Sequence, residues 1–175
     1  YKHLNSIELK RDGLVDYYIR DGKYIYLFEC KDNLINKSII ENGNTEDFIN
    51  ELKKIFIETS NEKNKTQKKA IKQLVHNIQE IRNGKFVEDK GIKTNNNEIY
   101  PIIISNNSIF SLEEINIMVN SWFFDHINDL DMKKNGIKNI TIININTIIL
   151  IKDLLRNNTL NLKNLIDLYW KKYEL

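Results

Sequence analysis

Two carboxylates and a lysine lie close together in a β-rich segment near the start of the chain. Asp16 lies near the start of the first apolar run, and Glu29 and Lys31 end the second. Carboxylate oxygens are the ligands that Mg²⁺ prefers, and a neighbouring ammonium group can orient water or offset negative charge. These residue types therefore favour metal-assisted hydrolysis, provided that the fold brings them to one place.

A β-hairpin is the element that positions them. Two β-rich runs, 14–20 and 23–31, are separated by the dipeptide Asp21-Gly22. Asp-Gly is typical of the two-residue type I′ turn, which fixes the register of the strands that flank it. This register pairs Asp16 with Leu27.

One face of the predicted hairpin then carries the polar residues. Asp16 and Glu29 become diagonal neighbours, on the order of 7 Å apart at the backbone, and Lys31 projects from the same face. Asp12 is an alternative to Asp16, because this register places it opposite Lys31. The other face is aromatic and includes Cys30, which we expect in the core.

The order of an aspartate followed by a strand that ends in Glu-x-Lys resembles the PD-(D/E)XK nuclease superfamily, which has the restriction-endonuclease-like fold. The residues that carry the resemblance are Asp16 and Glu29-Cys30-Lys31. The resemblance implies Mg²⁺ or Mn²⁺ held by Asp16, Glu29 and the backbone carbonyl of Cys30. It also implies a catalytic role for Lys31 and hydrolysis of nucleic-acid phosphodiester bonds, with DNA expected as the substrate rather than RNA.

The chain departs from the family pattern before the hairpin. Val15 stands where a proline often precedes the first acidic residue, and no helix is evident in residues 1–12, where Glu8 is the one carboxylate that could replace that helix's acidic residue. We expect residues 1–175 to be a single nuclease-like domain. Because the chain begins at Tyr1 rather than Met, we expect it to be a fragment of a longer protein that lacks the usual first helix.

A helix predicted over 67–82 has an apolar stripe and an opposite polar face. The resemblance gives Gln73 of this helix a catalytic place near the metal, with Lys69 as the alternative. The helical wheel turns Gln73 away from the stripe, so it reaches the site only if the start of the helix overhangs the sheet edge. An ordinary solvated face is the other interpretation. The predicted nucleic-acid contacts are Lys65, Lys68, Lys69 and Lys72.

The remaining pattern predicts an α/β fold, with a mixed central β-sheet flanked by helices. After Lys31 the elements alternate as α-α-β-α-β-α-α, which favours a partly parallel sheet covered on both faces. The predicted elements are a loop over 33–43, a helix with Thr45 as N-cap, the helix over 67–82, strands over 99–105 and 138–145, a helix over 111–126 with Ser111 as N-cap, and helices over 147–156 and 162–173.

Composition limits the function classes. The chain has 175 residues and 41% hydrophobic content, enough for one domain with its own core. Its net charge of +2 excludes a global field for polyanions, so a nucleic-acid surface must be local. The single cysteine excludes an internal disulfide, and the histidines lack zinc spacing. No apolar run reaches the length of a membrane span, and no signal peptide is evident, so we expect a cytoplasmic protein that does not bind membranes.

Two further hypotheses stay open beside the nuclease. A catalytically degenerate nuclease-fold module would bind nucleic acid or serve protein assembly, and a plain α/β interaction domain would carry Glu29 and Lys31 by chance. Homodimerisation and attachment to other domains of a longer chain are compatible with each hypothesis. Metal binding separates them, because only an intact carboxylate pair holds a divalent cation.

Overall fold

The computed structural model describes residues 4–8, 14–60, 66–92, 96–130, 132 and 135–173. Its elements are β1 (Leu4–Glu8), β2 (Tyr17–Asp21), β3 (Tyr24–Lys31), α1 (Lys37–Asn42), α2 (Thr45–Phe56), β4 (Glu58–Ser60), β5 (Thr66–Lys68), α3 (Ala70–Arg82), β6 (Glu98–Ser105), a 3₁₀ turn (Ser108–Ser111), α4 (Glu113–Asp129), β7 (Thr141–Asn144), α5 (Ile145–Arg156) and α6 (Leu162–Lys171). A five-stranded sheet has the order β1-β2-β3-β6-β7, and β4 and β5 form a separate ladder.

The sheet is mixed, as predicted. The first three strands pair antiparallel, whereas β3, β6 and β7 run parallel to one another. Helices α2, α3 and α4 contribute to the core on one face, and α6 contributes to the core on the other. The predicted α/β class and the mixed sheet flanked by helices are therefore confirmed. None of the described helices has the length and apolar content needed to cross a membrane.

The hairpin turn lies one residue later than predicted. Asp21 pairs with Tyr24, so the two-residue loop is Gly22-Lys23 rather than Asp21-Gly22. Gly22 has a φ of 61°, and Lys23 is not among the described residues with positive φ. Positive φ at the first central position alone is typical of a type II′ turn, which takes glycine there. The sequence contains two overlapping turn dipeptides, Asp21-Gly22 and Gly22-Lys23, and the turn forms at the second of them.

The corrected register keeps the predicted faces. Leu27 lies opposite Tyr18 rather than Asp16, a slip of two residues. Because side chains alternate with a period of two, such a slip preserves which residues share a face. Leu27 accordingly belongs to the core beneath α3, while Tyr26 belongs to the opposite core with Trp170.

Pro101 limits the length of β7. Ile99 exchanges hydrogen bonds with Gly136 and Lys138 on the β7 side. Alternation turns Pro101, two residues on, to the same side, where it has no N–H to donate. Regular pairing therefore begins only at Ile102 with Thr141, and the predicted strand over 138–145 is shortened to Thr141–Asn144.

Asparagines displace three predicted boundaries. The loop predicted over 33–43 contains α1, capped by Asn36 and ended by Gly43 at a φ of 63°. Helix α2 is capped by Asn44 rather than Thr45, because the Asn44 side chain accepts hydrogen bonds from the first-turn amides. The predicted strand over 138–145 also ends early, since the side chain of Asn144 caps α5.

Two helices begin later than predicted. Residues 66–68 pair with β4, so α3 starts at Ala70 rather than at residue 67. Ser111 does not cap α4, because its hydroxyl closes the preceding 3₁₀ turn by donating to the Ser108 carbonyl. The N-cap position of α4 is Leu112. No helix was predicted in residues 1–12. The part of this range that the structure describes is the edge strand β1, in which Glu8 pairs with Tyr17.

A buried carboxylate fixes the segment between α3 and β6 to the hairpin. Asp89 Oδ2 accepts the Tyr18 hydroxyl at 2.9 Å and Arg20 Nε at 2.6 Å, and Oδ1 accepts the Gly91 amide at 2.9 Å. Burial alone would raise the pKa of Asp89, but these three donors hold it below its ordinary value. Sequence reasoning missed this residue, because its partners lie about seventy positions away.

Replacing Asp89 by Asn should lower the free energy of unfolding by about 1–3 kcal/mol at neutral pH, since a buried charge-assisted network loses its acceptor. A carboxyl whose folded pKa is depressed stabilises above its unfolded pKa, and this contribution is lost as pH falls through the folded pKa. The difference between the two proteins should therefore shrink below about pH 4 in urea unfolding curves. Glu41→Gln, in an exposed pair with Lys37, is the control and should change little. A pH-independent difference would contradict the linkage.

Candidate active site

The structure brings Asp16, Glu29 and Lys31 to the same end of β3. The β2–β3 ladder ends at the pair Tyr17–Phe28, and Asp16 lies immediately before β2. Its Oδ2 accepts the backbone N–H of Cys30 at 2.6 Å, where a continued ladder would have used a backbone carbonyl. Asp16 therefore terminates the ladder and lies beside the Glu-x-Lys segment.

Glu29 is a buried carboxylate with one open oxygen. It is 2% exposed, and its Oε1 accepts Lys31 Nζ at 2.6 Å. Its Oε2 is also buried but accepts no hydrogen bond of normal geometry from any described residue. A buried acceptor without a hydrogen bond lowers the free energy of unfolding unless a group outside the described residues binds to it.

Burial raises the pKa of Glu29 above its ordinary value. The positive charge of Lys31 offsets part of this rise, as does the backbone amide of Asp16, which lies near the carboxylate without forming a hydrogen bond of normal geometry. The negative charge of Asp16 adds to the rise. Two carboxylates thus repel each other at the edge of a water-poor core. A cation between them would offset the repulsion and would bind the oxygen that lacks a hydrogen bond.

Cys30 is exposed, so the prediction that it lies in the core was wrong. The reason is the short ladder, because β2 does not extend far enough to cover it. Burial by its remaining neighbours and the charge of Asp16 raise the pKa of its thiol to about 11. Since the Cys30 N–H faces Asp16, its carbonyl, which points to the same side of an extended strand, faces Asp16 too.

The oxygen atoms present fit a hard divalent cation. The candidate donors are the second oxygen of Asp16, Oε2 of Glu29 and the carbonyl of Cys30. Within the described ranges there is no group of three or more His, Cys, Asp or Glu side chains that could hold a metal. A set of two carboxylates and one carbonyl leaves several coordination positions to water, which is the arrangement Mg²⁺ usually keeps.

Gln73 lies near this edge through the first turn of α3. Its side chain is half-buried rather than turned fully outward, and Nε2 donates to the Leu14 carbonyl at 3.5 Å. Leu14 comes two residues before Asp16, so the start of α3 reaches the segment that carries this carboxylate. The hydrogen bond joins Gln73 to the segment before Asp16 and does not place it against Glu29 or Lys31.

The predicted nucleic-acid contacts are grouped only in part. Lys68 ends β5, Lys69 is the N-cap residue of α3, and Lys72 lies in the first turn of this helix. These three lysines lie just before and within the first turn of α3, which also carries Gln73. Lys65 and the alternative carboxylate Asp12 lie outside the described residues.

Sequence reasoning missed a second row of polar residues. The carboxyl ends of β3, β6 and β7 meet at one edge, where Lys31, Ser105 and Asn144 are register partners on neighbouring strands. Ser105 and Asn144 are both buried. The signal was available, because ligand sites of parallel sheets lie outside the carboxyl ends of the strands and Ser105 was predicted as a strand end.

No protein-family model, curated protein or solved structure matches this chain. The resemblance to the PD-(D/E)XK superfamily therefore stays a prediction supported by the residues of the hairpin. The geometry described above is an independent reason to treat this strand end as a site.

Adding millimolar Mn²⁺ should raise the melting temperature of the protein, because a ligand that binds only the folded state stabilises it by mass action. At a concentration about 100 times the Kd the gain is about 2.7 kcal/mol. Differential scanning fluorimetry with Asp16→Asn and Glu29→Gln should show no such gain. Asp21→Asn, which alters a carboxylate at the turn, is the matched control and should respond as the parent does. Equal shifts in all four proteins would argue against this site.

Proposed function

We propose that this chain is a metal-dependent nuclease domain that hydrolyses phosphodiester bonds, in DNA rather than RNA. The observation that carries the proposal is the open, buried Oε2 of Glu29, with Lys31 on its other oxygen and Asp16 beside it. A purely structural ion pair would not require a second carboxylate or leave an acceptor unused. A divalent cation explains both features.

The balance of charges supports this proposal. Glu29 and Asp16 together carry two negative charges, and Lys31 supplies one positive charge within hydrogen-bond distance. A buried unsatisfied acceptor alone costs about 1–3 kcal/mol, and like-charge repulsion adds to it. The site is therefore arranged to gain from a cation and, through it, from a phosphate group.

Each residue has a chemical task in this proposal. Asp16, Glu29 and the Cys30 carbonyl would hold Mg²⁺ or Mn²⁺, which when bound polarises the phosphate and lowers the pKa of a bound water. Lys31 orients the attacking water and offsets the negative charge that develops on the phosphoryl oxygens. Its side chain is 14% exposed, so its charge acts where little water screens it.

The phosphate backbone of the substrate would be held by the lysines at the start of α3. The net charge of the whole chain is only +2, so attraction must come from a local group. Lys68, Lys69 and Lys72 lie at the end of the structure where Gln73 contacts the segment before Asp16. This arrangement would guide a strand of nucleic acid across the carboxylates.

One observation favours a second candidate, a degenerate nuclease-fold module that binds nucleic acid without cleaving it. Asp16 already accepts the Cys30 amide at 2.6 Å, so one of its oxygens has a structural task as a ladder terminator. In that case Asp16 would stabilise the hairpin and contribute little to cation binding. Isothermal titration with Mn²⁺ separates the candidates, because the degenerate module would bind no cation at this pair.

Lys31→Ala should reduce cleavage of single-stranded DNA by about a hundredfold or more, since it removes a group that acts in the transition state. The assay follows labelled DNA and RNA in Mg²⁺ or Mn²⁺, with chelator as the blank. Lys37→Ala, which alters an exposed lysine of α1, is the matched control and should cleave as the parent does. Undiminished cleavage by Lys31→Ala would remove the proposed role. Cleavage in chelator would remove the metal.

Replacing Lys65, Lys68, Lys69 and Lys72 together by Gln should flatten the salt dependence of nucleic-acid binding. For every phosphate that is no longer neutralised, the log-log slope should fall by about 0.7–0.9. Fluorescence anisotropy at several salt concentrations measures this slope, and Mn²⁺ binding should be unchanged. Four exposed lysines elsewhere, Lys85, Lys90, Lys152 and Lys171, form the control set. An equal effect of both sets would place the nucleic-acid surface elsewhere.

A further inference from the structure

Ser105 is a buried hydroxyl beside the lysine of the site. It is 1% exposed and ends β6, where its register partner on β3 is Lys31. Alternation puts Ser105 on the same face as Ile103, and Lys31 on the same face as Leu27, and both of these residues lie in the core beneath α3. The two side chains therefore leave one face of strands that lie about 4.8 Å apart.

The hydroxyl has unused hydrogen-bonding capacity. A serine offers one donor and two acceptor positions. Ser105 Oγ accepts the Asn107 amide at 3.1 Å, and no described residue accepts its hydrogen. Asn144, the next member of the row, uses both ends of its side chain, since Nδ2 donates to the Asn106 carbonyl and Oδ1 accepts the Asn146 amide. Ser105 is thus the neutral residue of this row that lies next to Lys31 in the register and retains a free acceptor position.

Lys31 needs such an acceptor in the proposed reaction. Its ammonium group has three donors, and Glu29 Oε1 is the partner that the structure gives it. When Glu29 also holds a cation, the carboxylate shares its charge and attracts the ammonium group less strongly. A second acceptor at the level of Lys31 would then keep the ammonium group at the strand end, facing the phosphate.

We infer that Ser105 is a positioning residue for Lys31. Its Oγ accepts a hydrogen bond from Nζ and holds the ammonium group in place while Glu29 binds the cation. The inference rests on the proposed function and adds to it a residue from β6, a strand that the Glu-x-Lys pattern does not include. Ser105 acts through Lys31 and leaves the carboxylate pair unaltered.

The test compares Ser105→Ala with Ser105→Thr, which keeps the hydroxyl. Ser105→Ala should lower kcat/KM about tenfold, with the Kd for Mn²⁺ unchanged, and Ser105→Thr should restore most of the loss. Ser111→Ala removes a half-buried hydroxyl from the adjoining 3₁₀ turn and should leave kcat/KM unchanged. A loss in both Ser105 variants, or a tenfold loss in Ser111→Ala, would assign Ser105 a merely structural role.

A double-mutant cycle with Lys31→Ala decides the inference without cleavage. Anisotropy of a fluorescein-labelled oligothymidylate in Ca²⁺ gives the affinity of each variant. Ser105→Ala should weaken binding severalfold in the parent and have no effect in the Lys31→Ala background. Equal effects in both backgrounds would overturn the inference. Absence of cleavage by the parent protein would overturn the proposed function instead, and the cycle would still report on Ser105 and Lys31.

Discussion

The parallel pairing of β3 with β6 over eight residues is the constraint on which the other features depend. The two cores that pack on this strand pair bury β3 on both faces and leave only its end for polar groups. The pairing also brings the carboxyl ends of two strands to one edge, so Lys31 lies beside Ser105 without any loop being required to fold over them. A site assembled from strand ends inherits the rigidity of the sheet, which suits chemistry that needs fixed distances.

Much of the fold was predictable because the apolar periodicities are strong. The alternating residues of β3 and the stripe of α3 determine which side faces the core, and these signals survive an error in the turn. The errors occur where two local signals compete. Asp21-Gly22 and Gly22-Lys23 are both acceptable turns, and Asn44 competes with Thr45 as a cap. Backbone dihedrals decide between such pairs, and a sequence does not contain them.

The sequence was sufficient to select the residues of the candidate site, but it did not predict the groups that surround them. The types and spacing of Asp16, Glu29 and Lys31 were sufficient to select them, because a hairpin of either register puts them on one face. The link between Asp16 and the Cys30 amide was not foreseeable, since it depends on where the ladder stops. Ser105 was predicted as the end of a strand, but its position beside Lys31 depends on the residue-by-residue register of β6 on β3, a tertiary property that local pattern does not determine.

The outer edge of β7 is closed by side chains rather than by another strand. Asn116 and Asn120, one turn apart on α4, accept the amides of Ile142 and Ile140. Ile142 lies in β7 and Ile140 directly precedes it. Unpaired amides at a sheet edge are a template for intermolecular strand pairing, and these two asparagines occupy two of them. The chain can keep β7 at the margin of the sheet because these amides are already taken.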